Sequence, residues 1–154
     1  MNVRIESSPV YLDSSALARI YVSEPESDAL EAALVGRRDL IVSDLVVTEL
    51  TSAVARRVRA GQLRPADARR LYRRMLRDVE AGEFQRAEVS AAIHREAERL
   101  LLVLGARLVL RAADALHLAL ASIAGARVLV TFDRRMAAAA AAVGTFELPA
   151  TEEP

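Results

Sequence analysis

Residues 127–133 read Arg-Val-Leu-Val-Thr-Phe-Asp, an apolar, β-branched run that ends in an acid. A short continuous apolar segment of this kind is what a buried strand requires, and it is the clearest strand in the sequence. Two further stretches share its form. Pro9 to Leu12 is apolar and gives way to Asp13-Ser14-Ser15, whose small polar side chains suit the start of a helix. Leu40-Ile41-Val42 is followed by Ser43 and Asp44, either of which can cap a long helix carrying Leu45, Val46, Leu50, Ala53 and Val54. Gly61 is placed to end that helix and Pro65 to open the next, which reaches about Gly82, so residues 44–82 read as a helical hairpin.

The intervals between these runs read as helices. Ser23-Glu24-Pro25-Glu26 opens one that runs to about Gly36, residues 90–104 carry apolar positions at helical spacing, and Ala112–Ala124 is apolar on nearly every side. The Ala-rich stretch 136–142 predicts a short final helix. Residues 84–89 suggest a weak, charged strand, and 146–148 an edge strand. Strands alternating with helices specify an α/β fold, a three-layer sandwich with a central, mainly parallel sheet and the helical hairpin protruding from it. Residues 1–150 are expected to form a single domain, with 151–154 as a short flexible tail.

At 154 residues and 53% hydrophobic composition, the chain has the material for one core. Its 21 basic and 21 acidic side chains balance, which excludes a global basic field, so binding of a polyanion has to be local. The absence of cysteine excludes disulfides, thiolate zinc sites and iron–sulfur clusters. No stretch of 18 uncharged apolar residues exists and the N-terminus lacks an export signal, so a soluble, cytoplasmic protein without membrane contact is expected. Every basic residue is Arg, which reads as genome composition and not as function.

Chemistry centres on four carboxylates. Asp13 and Asp133 each follow an apolar strand, at the edge where parallel sheets bind ligands, although an acid there is equally a helix cap. Asp114 is the only charge between Arg111 and Arg127, and a carboxylate in such apolar company needs a partner or a metal unless the helix dipole alone suffices. Glu49 is the only charge between Asp44 and Arg56, at the edge of an apolar stripe, facing either solvent or a site. Together they offer the oxygen ligands that Mg²⁺ or Mn²⁺ prefers and make a phosphodiester-hydrolysing centre the favoured chemistry. Ser15 and Thr131 flank the acids and are candidates to orient them, or are simple turn hydroxyls.

Four segments, VYLDSSAL at 10–17, SDLVVTEL at 43–50, RAADALHLALA at 111–121 and LVTFD at 129–133, together resemble the PIN-domain family, and within it VapC-type toxins. The resemblance implies a Mg²⁺- or Mn²⁺-dependent endoribonuclease that is the toxin of a type II toxin–antitoxin pair, acts on an RNA substrate as a homodimer, and is inhibited by a small cognate antitoxin protein entering its groove. It implies Asp13 and Asp114 as the principal metal ligands, completed by Glu49 and Asp133, with Thr131 at a matching hydroxyl position. All four acidic positions are intact. A haloacid-dehalogenase-type phosphatase also places Asp after its first strand but wants a second Asp two residues on, where this chain has Ser15. A non-cleaving PIN-like scaffold and an RNA-processing nuclease that is not a toxin are the other rivals.

Nine arginines between Arg56 and Arg77 face a single acid, Asp67; the basic hairpin 56–77 either binds RNA or a partner, or is a solvated face. His117, one turn after Asp114, invites a general-base role but reads first as a packed, hydrogen-bonded core histidine, and Tyr11, Phe132 and Phe146 read as sheet packing in preference to base-stacking platforms.

Overall fold

A computed structural model describes residues 2–22 and 26–152. Its elements are β1 (Asn2–Arg4), β2 (Val10–Leu12), α1 (Ser14–Tyr21), α2 (Ser27–Leu34), β3 (Leu40–Ser43), α3 (Asp44–Arg59), α4 (Pro65–Glu80), β4 (Gln85–Ala87), α5 (Ala91–Leu104), α6 (Ala112–Ile123), β5 (Val128–Val130), α7 (Arg134–Val143) and β6 (Ala150–Glu152). The central sheet has the order β4-β3-β2-β5, and every pair in it is parallel. Strands β2, β3 and β5 are buried along their whole length, as their uninterrupted apolar runs demand.

Side chains alternate across the sheet and so define two helical layers. Leu40 faces Ile20 of α1 and Leu34 of α2, whereas Ile41 faces Ile93 of α5 and Leu120 of α6. Helices α2 and α3 each pack on α1, and α5 and α7 each pack on α6. Between them lies one continuous core, with Tyr11, Leu12, Leu17, Leu50, Leu118 and Leu129 fully or almost fully buried.

Local signals set the hairpin. The Ser43 hydroxyl accepts the Val46 N–H at the start of α3, and the chain leaves that helix through Gly61, whose φ of +71° is costly for a side-chain-bearing residue. Pro65 opens α4, where only Met75 is buried.

Two departures from expectation concern strands. The expected edge strand at 146–148 is a single parallel bridge, Val128 to Glu147. The chain instead continues into β6, which pairs antiparallel with β1, so residues 151 and 152 lie in a strand where a flexible tail was expected. Neither strand has a hydrophobic pattern of its own, because each is specified by its distant partner. The expected helix start at Ser23 to Pro25 and the last two residues lie outside the described residues, and α2 is described from Ser27.

Candidate active site

Strand order decides where the site lies. From β2 the chain winds to β3 and β4 on one side, then returns to place β5 on the other side of β2, so β2 and β5 flank a topological switch point. Asp13 and Asp133 leave the carboxyl ends of these two strands, and the Asp13 N–H donates to the Val130 carbonyl at 3.2 Å, which ties the two ends together.

Asp13 is 4% exposed and caps α1. Its Oδ1 accepts from the Ser15 hydroxyl at 2.6 Å and the Ala16 N–H at 2.9 Å, and its Oδ2 accepts from the Thr131 hydroxyl. Burial pushes the Asp13 carboxyl up, against the pull of Ser15, Thr131, the Ala16 N–H and the nearby His117. Ser15 and Thr131 also brace the β5 exit: the Ser15 hydroxyl accepts the Phe132 N–H at 2.8 Å, and Thr131 accepts the Asp133 N–H at 3.0 Å.

Asp133 caps α7 by accepting the N–H groups of Arg135 and Met136. Burial works to raise its carboxyl, but those two bonds and the Arg135 charge outweigh it and hold it below the usual aspartate range. Asp114, 8% exposed, occupies the first turn of α6 and accepts the Arg111 N–H at 3.0 Å. The Arg135 guanidinium reaches both acids, with Nη2 3.1 Å from Asp133 and Nε 3.9 Å from Asp114, and the buried Nε has no hydrogen-bond acceptor.

Glu49, on the second turn of α3, has its Oε2 2.8 Å from His117 Nε2 of α6. That hydrogen bond, aided by the Ser14 hydroxyl, holds the Glu49 carboxyl below its ordinary range although partial burial opposes it. Behind it, His117 Nδ1 lies 2.9 Å from the Tyr11 hydroxyl, which lies 2.8 Å from the Ser43 hydroxyl.

The predicted residues therefore occur in two groups. Asp13, Ser15, Thr131 and Asp133 share hydrogen bonds, and Arg135 carries the connection on to Asp114, while Glu49 is bonded to His117 and through it to Tyr11 and Ser43. Among the described residues, no three acidic or histidine side chains converge closely enough to enclose a metal ion as they stand. The donor set itself is all carboxylate oxygen, which suits a hard divalent cation, and Asp13 is a buried carboxyl bonded to hydroxyls and a backbone N–H, with no cationic partner among the described residues. A groove of about 750 Å³ has Ser15, Glu49 and Asp133 in its lining together with Arg56, Arg57 and Arg111.

Sequence reasoning passed over Arg135 and gave Tyr11 and Ser43 only packing and capping roles. It read His117 correctly as buried and hydrogen-bonded, at 4% exposure, but not as the partner of Glu49. A usable signal existed for Arg135, which stands two residues from Asp133; none tied His117 to a residue 68 positions away.

Comparison with known proteins agrees with this architecture. Ribonuclease VapC46 of Mycobacterium tuberculosis is 34% identical over 139 residues, covering 88% of this chain and 92% of that protein. Among solved structures, M. tuberculosis VapC20, a sarcin–ricin loop cleaving toxin, superposes with a TM-score of 0.66 at 16% identity over 85% of this chain and 95% of its own. FitAcB of Neisseria gonorrhoeae gives 0.67 at 16% identity, covering 91% and 96%. PAE2754 of Pyrobaculum aerophilum gives 0.62 at 25% identity, covering 84% and 78%. The PIN domain model matches residues 10–142, from the first strand of the central sheet through the last helix, and this chain belongs to the PIN domain family.

Proposed function

We propose that this chain is a divalent-metal-dependent endoribonuclease, the toxin of a type II toxin–antitoxin pair acting on RNA in the cytoplasm. The observation that carries the reading is the make-up of one groove, which has Glu49 and Asp133 in its lining beside Arg56, Arg57 and Arg111. Acids for hydrolysis and cations for a phosphate backbone share one surface. The 34% identity to a ribonuclease VapC supports the same reading.

Asp13, Asp114, Glu49 and Asp133 are the residues that would hold Mg²⁺ or Mn²⁺, which would supply charge neutralisation at the phosphate and acidify a water. The protein's own contribution is orientation. Asp13 is fixed by two hydroxyls and a backbone N–H, so its carboxylate cannot rotate away. Glu49 stays charged at neutral pH because His117 and Ser14 favour its ionised form. Arg56, Arg57 and Arg111 are placed along the groove to hold the phosphodiester chain on either side of the cut.

The partners follow from the same reading: a small cognate antitoxin protein that enters this groove, and a second copy of the chain. Exposed Leu102 and Val103 on α5 and Val109 just beyond it offer apolar surface for a homodimer. No helix among the described residues is long and apolar enough to cross a membrane.

The test is cleavage of RNA by purified protein with Mn²⁺. Asp13→Asn and Asp114→Asn are each expected to abolish cleavage, and growth arrest on expression, with the fold intact by circular dichroism. Full activity in both variants would overturn the reading.

A further inference from the structure

A buried imidazole is expensive unless both ring nitrogens are bonded, and α6 buries His117 among Ala115, Leu118 and Ala121. Both nitrogens are bonded, to Glu49 on one side and Tyr11 on the other. The path continues from Tyr11 to Ser43, and the Ser43 oxygen also accepts the Val46 N–H at 3.3 Å. Four elements are joined by these bonds: α3, α6, β2 and β3. Helices α3 and α6 carry Glu49 and Asp114, and β2 leads directly into Asp13, two residues after Tyr11.

Only one direction of the protons gives every group in the path a partner. An ionised Glu49 can only accept, so His117 Nε2 donates to it. With Nδ1 then bare, the Tyr11 hydroxyl donates to it, and the Ser43 hydroxyl donates to the Tyr11 oxygen. In the reverse direction Nδ1 carries a proton to Tyr11 and Tyr11 donates to Ser43, whose own proton then has no acceptor in the network.

We propose that His117 is a positioning residue for Glu49, locked by Tyr11 and Ser43 in the Nε2–H tautomer so that it aims one hydrogen bond at the carboxylate. The proposal rests on the ribonuclease reading for its catalytic consequence, but not for its tautomer. The tautomer follows from the network alone. Asp114 and His117 sit one turn apart on the same helix, so the bond to Glu49 also fixes the acid of α3 relative to the acid of α6. Partners of this kind behind a ligand typically matter about 10- to 100-fold in activity or metal affinity.

The chain holds two histidines, and His94 is exposed on α5, which makes the imidazole region of a nitrogen-15 NMR spectrum simple to assign. In metal-free protein at neutral pH, His117 is expected to show a single form with its proton on Nε2 and a bonded, unprotonated Nδ1. Tyr11→Phe should move the Nδ1 signal toward that of an unbonded nitrogen. In RNA cleavage with Mn²⁺, His117→Ala should lower kcat about 10- to 100-fold, with KM for RNA unchanged and weaker Mn²⁺ binding by calorimetry. His117→Gln, whose amide N–H can replace the Nε2 donor, should recover most of the loss, and Tyr11→Phe should fall between. If His117→Ala does not fold, Tyr11→Phe and His117→Gln decide the matter. A proton on His117 Nδ1, or wild-type kcat in folded His117→Ala or Tyr11→Phe, would overturn the proposal. A wild-type protein that shows the expected tautomer but cuts no RNA would overturn the ribonuclease reading instead, and the kinetic role with it, while leaving the relay standing.

Discussion

Asp13 shows what a functional carboxylate costs the protein that holds it. Its side chain is buried, and desolvation raises its folded pKa above the ordinary aspartate value of about 4. For an acid raised in this way, the stabilising effect of proton uptake is fully present below the ordinary value and is lost as pH rises through the folded one. Above the ordinary value the buried carboxyl therefore imposes a cost on the metal-free protein. Asp13→Asn removes it and is expected to raise the urea midpoint at pH 7 while abolishing cleavage, with the gap closing as the pH falls toward 4. A wild-type protein more stable than the variant at pH 7 would show that Ser15 and Thr131 fully offset the desolvation. At this scale the sequence made Asp13 legible by its position after an apolar run and Asp114 by its apolar surroundings. It left His117 and Arg135 obscure, because their meaning lies in bonds to other elements.

Elements bounded by local chemistry were legible. Ser43, Gly61 and Pro65 mark the ends of α3 and α4 within one or two residues, since capping and backbone geometry act on neighbours alone. Elements defined by pairing were less so. Strand β4 is exposed on two of its three residues, and β1 and β6 pair over three residues drawn from opposite ends of the chain. The hairpin has a similar economy of means, because α4 is held through one fully buried side chain, Met75. Met75→Ala is expected to cost about 2–5 kcal/mol of stability in urea unfolding. Cleavage per folded molecule should stay at the wild-type level, since none of the four acids lies on α4; lost cleavage without lost stability would show that α4 shapes the groove directly.

For the molecule as a whole, a net charge of zero conceals a division of labour, with arginines concentrated between 56 and 77 and acids brought to the carboxyl edge of the sheet. Overall composition could not reveal that division; the order of segments did. If the acids take up Mn²⁺, binding to the folded state alone stabilises it by mass action, about 2.7 kcal/mol at a hundredfold excess over Kd. Thermal unfolding of the wild type should rise with added Mn²⁺, and that of Asp114→Asn should respond far less. A wild-type transition indifferent to Mn²⁺ would count against the metal centre.

The single buried residue of α4, set beside the seven of α6, also grades the molecule by how readily its parts open. Amide hydrogen exchange is expected to be fastest in α4 and slowest in α6 and the inner strands. The boundary should fall inside α3, whose last buried residue is Val54: amides beyond it open with the hairpin, while those around Glu49 exchange only when the sheet comes apart. One helix thus belongs to two cooperative units, a mobile clasp at one end and the floor of the acid site at the other.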